Sequence, residues 1–325
     1  MSDVVQQTAT IGVIGLGKMG KPMTRALMKA GFAVIVHNRS QAAVDELASD
    51  GAKTASGPAE IAQQADVIVT SLPDPDAVRA VYLGDEGLIA HARKGHIYVD
   101  TSTVDPGLSR TLSAEAEARG AAFLDAPVSG GVAGAEAATL TIMVGGDPDA
   151  FSRVKPVLEA LGERIHHVGP SGSGTVIKLA NQLLVGINVA GVAEAMVLGV
   201  KAGADPEAMF EVLSTSFGGS RMLDRGVPLI LDRNFGGGTP VDLIRKDLGL
   251  ITALAQELGV PLSSGENARA VFDRAHDLRL GTADMVSVIR PIEERAGVEV
   301  ARHRRSVLNV TNAAERYGST RIGMD

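Results

Sequence analysis

Lys178, Asn181 and Gln182 stand three and four residues apart in the segment SGTVIKLANQLLVGINVAGVAEAMVLG, residues 173–199. The segment is long, mostly apolar and reads as a helix. At about 100° per residue these offsets return to nearly one direction, so an ammonium and two carboxamides share one face. A lysine whose pKa is lowered by burial can give or take a proton at a substrate oxygen. The plainer alternative is a lysine that lays its stem along apolar surface and keeps its charge in water.

A second constellation opens the chain. VIGLGKMG spaces Gly15, Gly17 and Gly20 as G-x-G-x-x-G, after a strand-like run and before a helical one. In that context the glycines allow a tight turn and close backbone approach, and the following helix offers free N–H groups to a pyrophosphate. The turn predicts dinucleotide contacts from Gly15, Leu16, Gly17, Lys18, Met19 and Gly20. The next strand ends in HNRS, residues 37–40. Asn38, Arg39 and Ser40 stand where an acidic residue would meet a ribose hydroxyl. Without that carboxylate, and with a guanidinium and a hydroxyl as donors, the site favours NADP over NAD. The alternative has Arg39 stack on adenine or point to solvent.

Alternation positions both constellations. Between residues 10 and 120, β-rich runs (TIGVIGLG, FAVIVHN, DVIVTSLP, HIYVDTST) alternate with helical patterns such as KPMTRALMKAG and QAAVDELASDG. Such alternation implies right-handed crossovers and a parallel sheet. After GPSGSG (169–174) strand candidates all but vanish up to residue 301. The expected architecture is α/β: an N-terminal Rossmann-type doubly wound sheet (residues 1–170), then an all-α domain (171–302) joined by a long interdomain helix. A tail (303–325) begins basic, ends polar and is given no role. SGGVAGAEAATL (129–140) reads as a structured loop between strands, and SFGGSRML (216–223) either lines the substrate pocket from the far side, with Arg221 as a carboxylate partner, or simply turns the chain.

Bulk properties narrow the partners. The 325 residues suit two domains, with 45% hydrophobic and 21% charged residues. The net charge of −7 argues against nucleic acid or an anionic membrane as principal partner. There is no cysteine, so disulfides, thiol nucleophiles and Cys-ligated zinc are excluded. The seven histidines show no ligand-like spacing, and no metal is expected. MSDVVQQTAT lacks the pattern of a secretory signal, and Asn188, Glu194 and several glycines interrupt the apolar run at 183–200. A cytoplasmic protein is expected. The run is apolar on most sides, which implies cover from both domains or another subunit, hence a homodimer or homotetramer.

GLGKMGKPM (15–23), DAPVSGG (125–131), GSGTVIKLANQ (172–182) and KDLGL (246–250) resemble, in this order, the four signature segments of the β-hydroxyacid dehydrogenases, the 3-hydroxyisobutyrate dehydrogenase-like family. KLANQ, LDRNF, LGTAD and GVEVAR are most similar to its tartronate semialdehyde reductase branch, as is Gln182 where many members carry a second asparagine. The resemblance implies that Lys178 is the catalytic lysine and Asn181 the substrate-orienting asparagine. It implies that Ser129, Gly130 and Gly131 grip the substrate carboxylate, that Leu72, Pro73 and Thr103 meet the nicotinamide half, and that Lys246 closes over the cofactor.

The expected chemistry is hydride transfer between nicotinamide and the carbon bearing the β-hydroxyl of a short carboxylic acid, or its aldehyde. Lys178 exchanges the proton with the oxygen, Asn181 holds that oxygen and Gln182 supports the lysine. Backbone N–H groups at 129–131 hold the carboxylate. The favoured substrate is tartronate semialdehyde, reduced to glycerate. Alternatives are 3-hydroxyisobutyrate, threonate-type acids, imines or other semialdehydes, and, outside enzymology, a dinucleotide-sensing regulator.

Overall fold

The computed structural model describes residue 5 and residues 9–302. The tail from 303 and most of the opening segment read above for a leader lie outside the described residues.

Short apolar β-branched runs build the first layer. The chain runs β1 (Thr10–Ile14), α1 (Gly20–Lys29), β2 (Ala33–His37), α2 (Gln41–Ser49), β3 (Lys53–Thr54), α3 (Pro58–Gln64), β4 (Val67–Thr70), α4 (Pro75–Leu83), β5 (Ile97–Asp100) and α5 (Pro106–Glu117). It continues through β6 (Ala122–Asp125), β7 (Val128–Ser129), α6 (Gly131–Ala137), β8 (Leu140–Gly145), α7 (Pro148–Glu159) and β9 (Gly162–Gly169). The sheet order is β3-β2-β1-β4-β5-β6-β8-β7, with β9 also paired to β8. From β1 the chain winds out through β2 and β3, then crosses back to β4. Between the carboxyl ends of β1 and β4 lies the switch point where such sheets take ligands.

Helices cover both faces of this sheet, so the central strands are buried on both sides. Val13, Leu27, Leu47 and Val154 pack on one face, and Ile14, Ile61, Tyr82 and Tyr98 on the other. Helix starts follow local chemistry. Four helices open with Asp-Pro: Asp74, Asp105, Asp147 and Asp205 each accept the N–H three residues on, at 2.7–2.8 Å. The aspartate caps the helix, and proline's missing donor is harmless there.

The sheet is not parallel throughout, as the alternation had suggested. β6 and β7 run antiparallel to β8. β7 has two residues and follows β6 after only Ala126 and Pro127, too short a link for a crossover. SGGVAGAEAATL is likewise not all loop, since α6 forms within it.

The second layer is all helix apart from an isolated bridge between Pro240 and Asp284. It comprises α8 (Ser173–Lys201), α9 (Pro206–Thr215), α10 (Arg221–Leu231), α11 (Val241–Leu258), α12 (Ser263–Asp277), a 3₁₀ turn (Met285–Val288) and α13 (Ile289–Ala296). Its core gathers Met196, Val227, Ile244 and Phe272 around α8. With 29 residues, α8 spans about 43 Å. Its length and a mean hydropathy of 2.0 would suit a membrane span. Here it is the spine of the helical domain and reaches back to the sheet, where Lys178 bonds the Val128 carbonyl.

Candidate active site

The glycine turn is built as its spacing requires. Gly15 has φ +95°, and a side chain there would strike the Ser71 carbonyl at the end of β4. A side chain at Gly20 would strike the Gly15 carbonyl, whereas Gly17 faces open space. Two glycines therefore close the turn and one leaves its outer face bare. Met19 caps α1 without a side-chain bond, so the first amides of α1 keep no side-chain partner. A cavity of about 710 Å³ runs from Gly17 and Lys18 along the flank of α1, past Lys21, Arg25 and Lys29, to α6 and to Gly237 and Gly238 of the helical domain. The turn itself fits a dinucleotide phosphate: an uncapped helix start beside a bare glycine.

At the end of β2, the Asn38 Oδ1 accepts the Leu16 N–H at 3.2 Å, and its Nδ2 donates to the Ser40 carbonyl at 3.2 Å. Asn38 thus ties β2 to the glycine turn. Arg39 and Ser40 are exposed beside it.

The ends of β4 and β5 are organised by a residue the sequence reading passed over. Asp100, buried, accepts from Thr70 Oγ1 at 2.7 Å and Ser102 Oγ at 2.6 Å, and Ser102 Oγ in turn accepts the Leu72 N–H at 2.9 Å. Burial pushes the Asp100 carboxyl above its ordinary range. This network fixes the Leu72–Pro73 corner. Thr103 follows on the next loop, and its carbonyl accepts from Lys246 Nζ at 2.8 Å. Lys246 of α11 therefore bridges from the helical domain to the loop after β5, at the carboxyl ends of the central strands.

The lysine face of α8 is buried rather than snorkelling. Lys178 is 7% exposed. Its Nζ donates to the Val128 carbonyl at 2.8 Å and to Gln182 Oε1 at 3.1 Å. Val128 directly precedes Ser129, and Gly130 and Gly131 follow with φ of +137° and +65°. The amine thus sits against the start of the glycine loop assigned to the carboxylate. Burial lowers the Lys178 pKa from 10.5 to about 8, opposed by the Asp247 charge and reinforced by that of Lys246.

Gln182 bonds the lysine, and Asn181 bonds Gln182 in turn. The Asn181 Nδ2 donates one of its two N–H groups to Gln182 Oε1 at 3.0 Å. The far side of Gln182 bonds Asp247 Oδ2 at 2.6 Å. Asp247 is fully buried on α11, and its Oδ1 lies 3.0 Å from Lys246 Nζ in an ion pair without hydrogen-bond alignment. KDLGL contains this aspartate, but its partner Gln182 lies 65 residues away in the chain. Arg221 opens α10 exposed and has no bond to the cluster.

A dinucleotide turn at the sheet's switch point, together with a buried lysine on the long helix that meets the sheet at Val128, defines an NAD(P)-dependent dehydrogenase. Comparison with known proteins narrows the class. Residues 10–169 match the NAD-binding domain of 6-phosphogluconate dehydrogenase, and residues 172–292 match the NAD-binding region of NADP-dependent 3-hydroxyisobutyrate dehydrogenase. The chain is 39% identical over 298 residues to 2-(hydroxymethyl)glutarate dehydrogenase of Eubacterium barkeri, covering 91% of this chain and 99% of that protein. It is 41% identical over 269 residues to 3-hydroxyisobutyrate dehydrogenase of Pseudomonas aeruginosa, covering 81% and 90%. The same organism's NAD-dependent L-serine dehydrogenase is 40% identical over 269 residues, covering 81% and 90%. Among solved structures, Mycobacterium tuberculosis 3-hydroxyisobutyrate dehydrogenase with L-serine superposes at a TM-score of 0.81, with 33% identity over 88% of this chain and 99% of that one. The chain belongs to the 3-hydroxyisobutyrate dehydrogenase-like family of β-hydroxyacid dehydrogenases and is an NAD(P)-dependent oxidoreductase acting on CH–OH groups.

Proposed function

We propose that this enzyme reduces tartronate semialdehyde to glycerate, with Lys178 as the acid–base group. The observation that carries the role is the burial of Lys178, held by Val128 and Gln182 with a pKa near 8. At neutral pH the amine is mostly protonated and ready to give a proton to an alkoxide. A bound nicotinamide supplies the hydride. Lys178 protonates the oxygen as the alkoxide forms, and in the reverse direction its neutral form takes the proton back. Asn181, by turning its amide from Gln182 to the substrate, holds the same oxygen, and Gln182 keeps the amine aimed. Amides of Ser129, Gly130 and Gly131 hold the carboxylate, fixing the reacting carbon.

The relatives' names bear on the substrate class. 2-(Hydroxymethyl)glutarate, L-serine and 3-hydroxyisobutyrate are each 3-hydroxypropanoate with a different group on C2. Glycerate is the same core with a hydroxyl there. The segments KLANQ and LDRNF favour that member. For the cofactor we favour NADP, because Arg39 is exposed at the end of β2 with no acid in HNRS. A screen of cofactor oxidation and reduction with both dinucleotides, over tartronate semialdehyde, 3-hydroxyisobutyrate, serine, 2-(hydroxymethyl)glutarate and threonate, tests the assignment. Highest kcat/KM on another member would replace the substrate, and inactivity on all would remove the assignment.

We also propose that a second copy of the chain covers α8. Val176, Ala180, Leu184, Gly191, Ala195 and Leu198 are exposed and fall on one line, with half-buried Ile187 at its middle and exposed Glu194 at its edge. The line is about 33 Å long and covers on the order of 350 Å². On its flank, α9 seats Met209 beside Gly199 and carries exposed Val212, with fully exposed Phe217 just beyond its end. An aromatic of that size adds roughly 150–250 Å², which brings the patch to about 500–600 Å², against the roughly 800 Å² per partner of standard stable interfaces.

A further inference from the structure

The N-terminus of α8 lacks the side-chain cap that five other α-helices carry. Its cap position is Gly172, at φ +89°, with no side chain to accept the first amides. The acceptor arrives from the sheet instead. Asp125, last residue of β6 and 1% exposed, accepts the Gly172 N–H through Oδ1 at 2.7 Å and the Thr175 N–H through Oδ2 at 2.8 Å. A carboxylate at the positive end of a helix is favoured by the aligned peptide dipoles as well as by the two bonds. The fit is close. Gly174 has no room for a side chain, because the Asp125 and Met143 carbonyls lie against it. Thr175 is fully buried, with its hydroxyl 3.0 Å from Ser109 Oγ on α5.

Three residues beyond Asp125, the Val128 carbonyl accepts from Lys178 Nζ at 2.8 Å. Three residues beyond Thr175, on the same helical face, stands Lys178 itself. One short stretch of chain, 125–128, therefore grips α8 at two points one turn apart: at its first amides and at the amine.

We propose that Asp125 is the positioning residue for Lys178: its carboxylate pins the first turn of α8 to the sheet and so holds the amine at Val128, sealed from water. The inference rests on Lys178 being the acid–base group. Asp125 touches neither substrate nor cofactor in this role. It acts through the register and dryness of the amine. The charged groups facing that amine are Asp247 and Lys246. Because both remain when Asp125 changes, a shift in the behaviour of Lys178 would report its position and hydration.

Asp125→Asn puts an N–H₂ against one of the two amides, where only an acceptor fits. The expected result is a fall in kcat of at least tenfold, dinucleotide affinity within twofold, and a break in the pH profile that moves from about 8 toward the ordinary 10.5 of an exposed lysine. A merely structural cap would lower the melting temperature and leave that break in place. The same shift should appear without turnover, in the pH dependence of Lys178 acylation by a small amine reagent, read by mass spectrometry on the native protein. Should Asp125→Asn not fold, Asp125→Glu displaces the carboxylate by one methylene and is read by the same two measurements. An unchanged break and unchanged acylation in the folded variant would overturn the inference. Lys178→Met runs alongside: near-normal turnover there would overturn the role of Lys178, whereas its loss with an unaffected Asp125 variant would overturn only the positioning.

Discussion

Gln182 donates its amide N–H to Asp247 Oδ2 at 2.6 Å, joining α8 to α11 through two buried side chains. That bond fixes which way the carboxamide faces. With Nε2 given to a carboxylate, Oε1 must point to the other side, where it accepts from both Lys178 and Asn181. Asp247 thus orients the group that aims the lysine, and its charge also favours the protonated amine.

Asp247→Asn removes both effects. An asparagine can offer its own N–H₂ to Gln182, letting the carboxamide flip and turn a donor toward the ammonium. Loss of the nearby charge lowers the Lys178 pKa below about 8. We expect kcat/KM for reduction to fall about 10–100-fold, its alkaline limb to begin at lower pH, and stability to drop by about 1–3 kcal/mol. Steady-state kinetics across pH with a denaturant melt would check this, and an unchanged pH limb would refute the electrostatic part.

The pKa near 8 has opposite signs in the two directions. Reduction needs the ammonium, so kcat/KM should be level below about 8 and fall tenfold per pH unit above it. Oxidation needs the free amine, so kcat/KM should rise tenfold per unit up to about 8 and then level. Breaks near 10.5 in both directions would mean a solvated lysine. Lys178→Met should lower kcat about 10²–10⁴-fold while leaving dinucleotide binding, measured by nicotinamide fluorescence, within twofold.

The three glycines of the turn should separate folding from binding. At Gly20 a methyl would press on the Gly15 carbonyl, so Gly20→Ala should cost about 1–3 kcal/mol. Gly17 has nothing within 4 Å of where a methyl would sit, so Gly17→Ala should change stability by less than about 0.5 kcal/mol. Its methyl would instead occupy the face left for the dinucleotide, and affinity should fall tenfold or more. Equal losses of binding and melting temperature in both variants would contradict the division.

The proposed preference for NADP rests on Arg39, exposed at the end of β2. Charge-assisted hydrogen bonds contribute about 1.5–3 kcal/mol, so Arg39→Leu should weaken NADP about 10–100-fold and leave NAD within threefold. A parallel loss for both dinucleotides would place Arg39 against adenine instead.

What the sequence disclosed was local, and what it hid was distant. The β-branched strands, the glycine turn and the Lys178–Gln182 face each follow from spacing within a few residues. α6 was obscured because its glycines read as loop, yet Gly130 and Gly131 turn the chain at positive φ and alanines carry the helix on. β9 was missed because ERIHHVG exposes polar side chains at a sheet edge and shows no apolar alternation. Asp125 and Asp247 were visible in DAPVSGG and KDLGL, but their partners lie 47, 50 and 65 residues away. Only the fold could reveal that one caps α8 and the other orients Gln182.

The exposed line on α8 has a register that suits pairing with itself. In an antiparallel pair with the two-fold axis beside Ile187, Leu184 of one copy falls on Gly191 of the other, and Ala180 falls on Ala195. A large side chain then meets a bare backbone, and two small ones meet each other, so the helices can approach to about 8 Å between axes. At that distance the facing Cα atoms near the axis come within about 4–5 Å, inside the range a disulfide spans. Because the chain contains no cysteine, Ile187→Cys introduces a single thiol per copy. It should form a covalent dimer on mild oxidation, seen on a non-reducing gel. Leu184→Arg places a charge against Gly191 of the second copy and should give monomers in sedimentation velocity at concentrations where the parent protein is a dimer or larger. A parent protein that sediments as a monomer would dismiss the interface. A parent dimer whose Ile187→Cys form stays uncrosslinked would keep self-association but move it off this register.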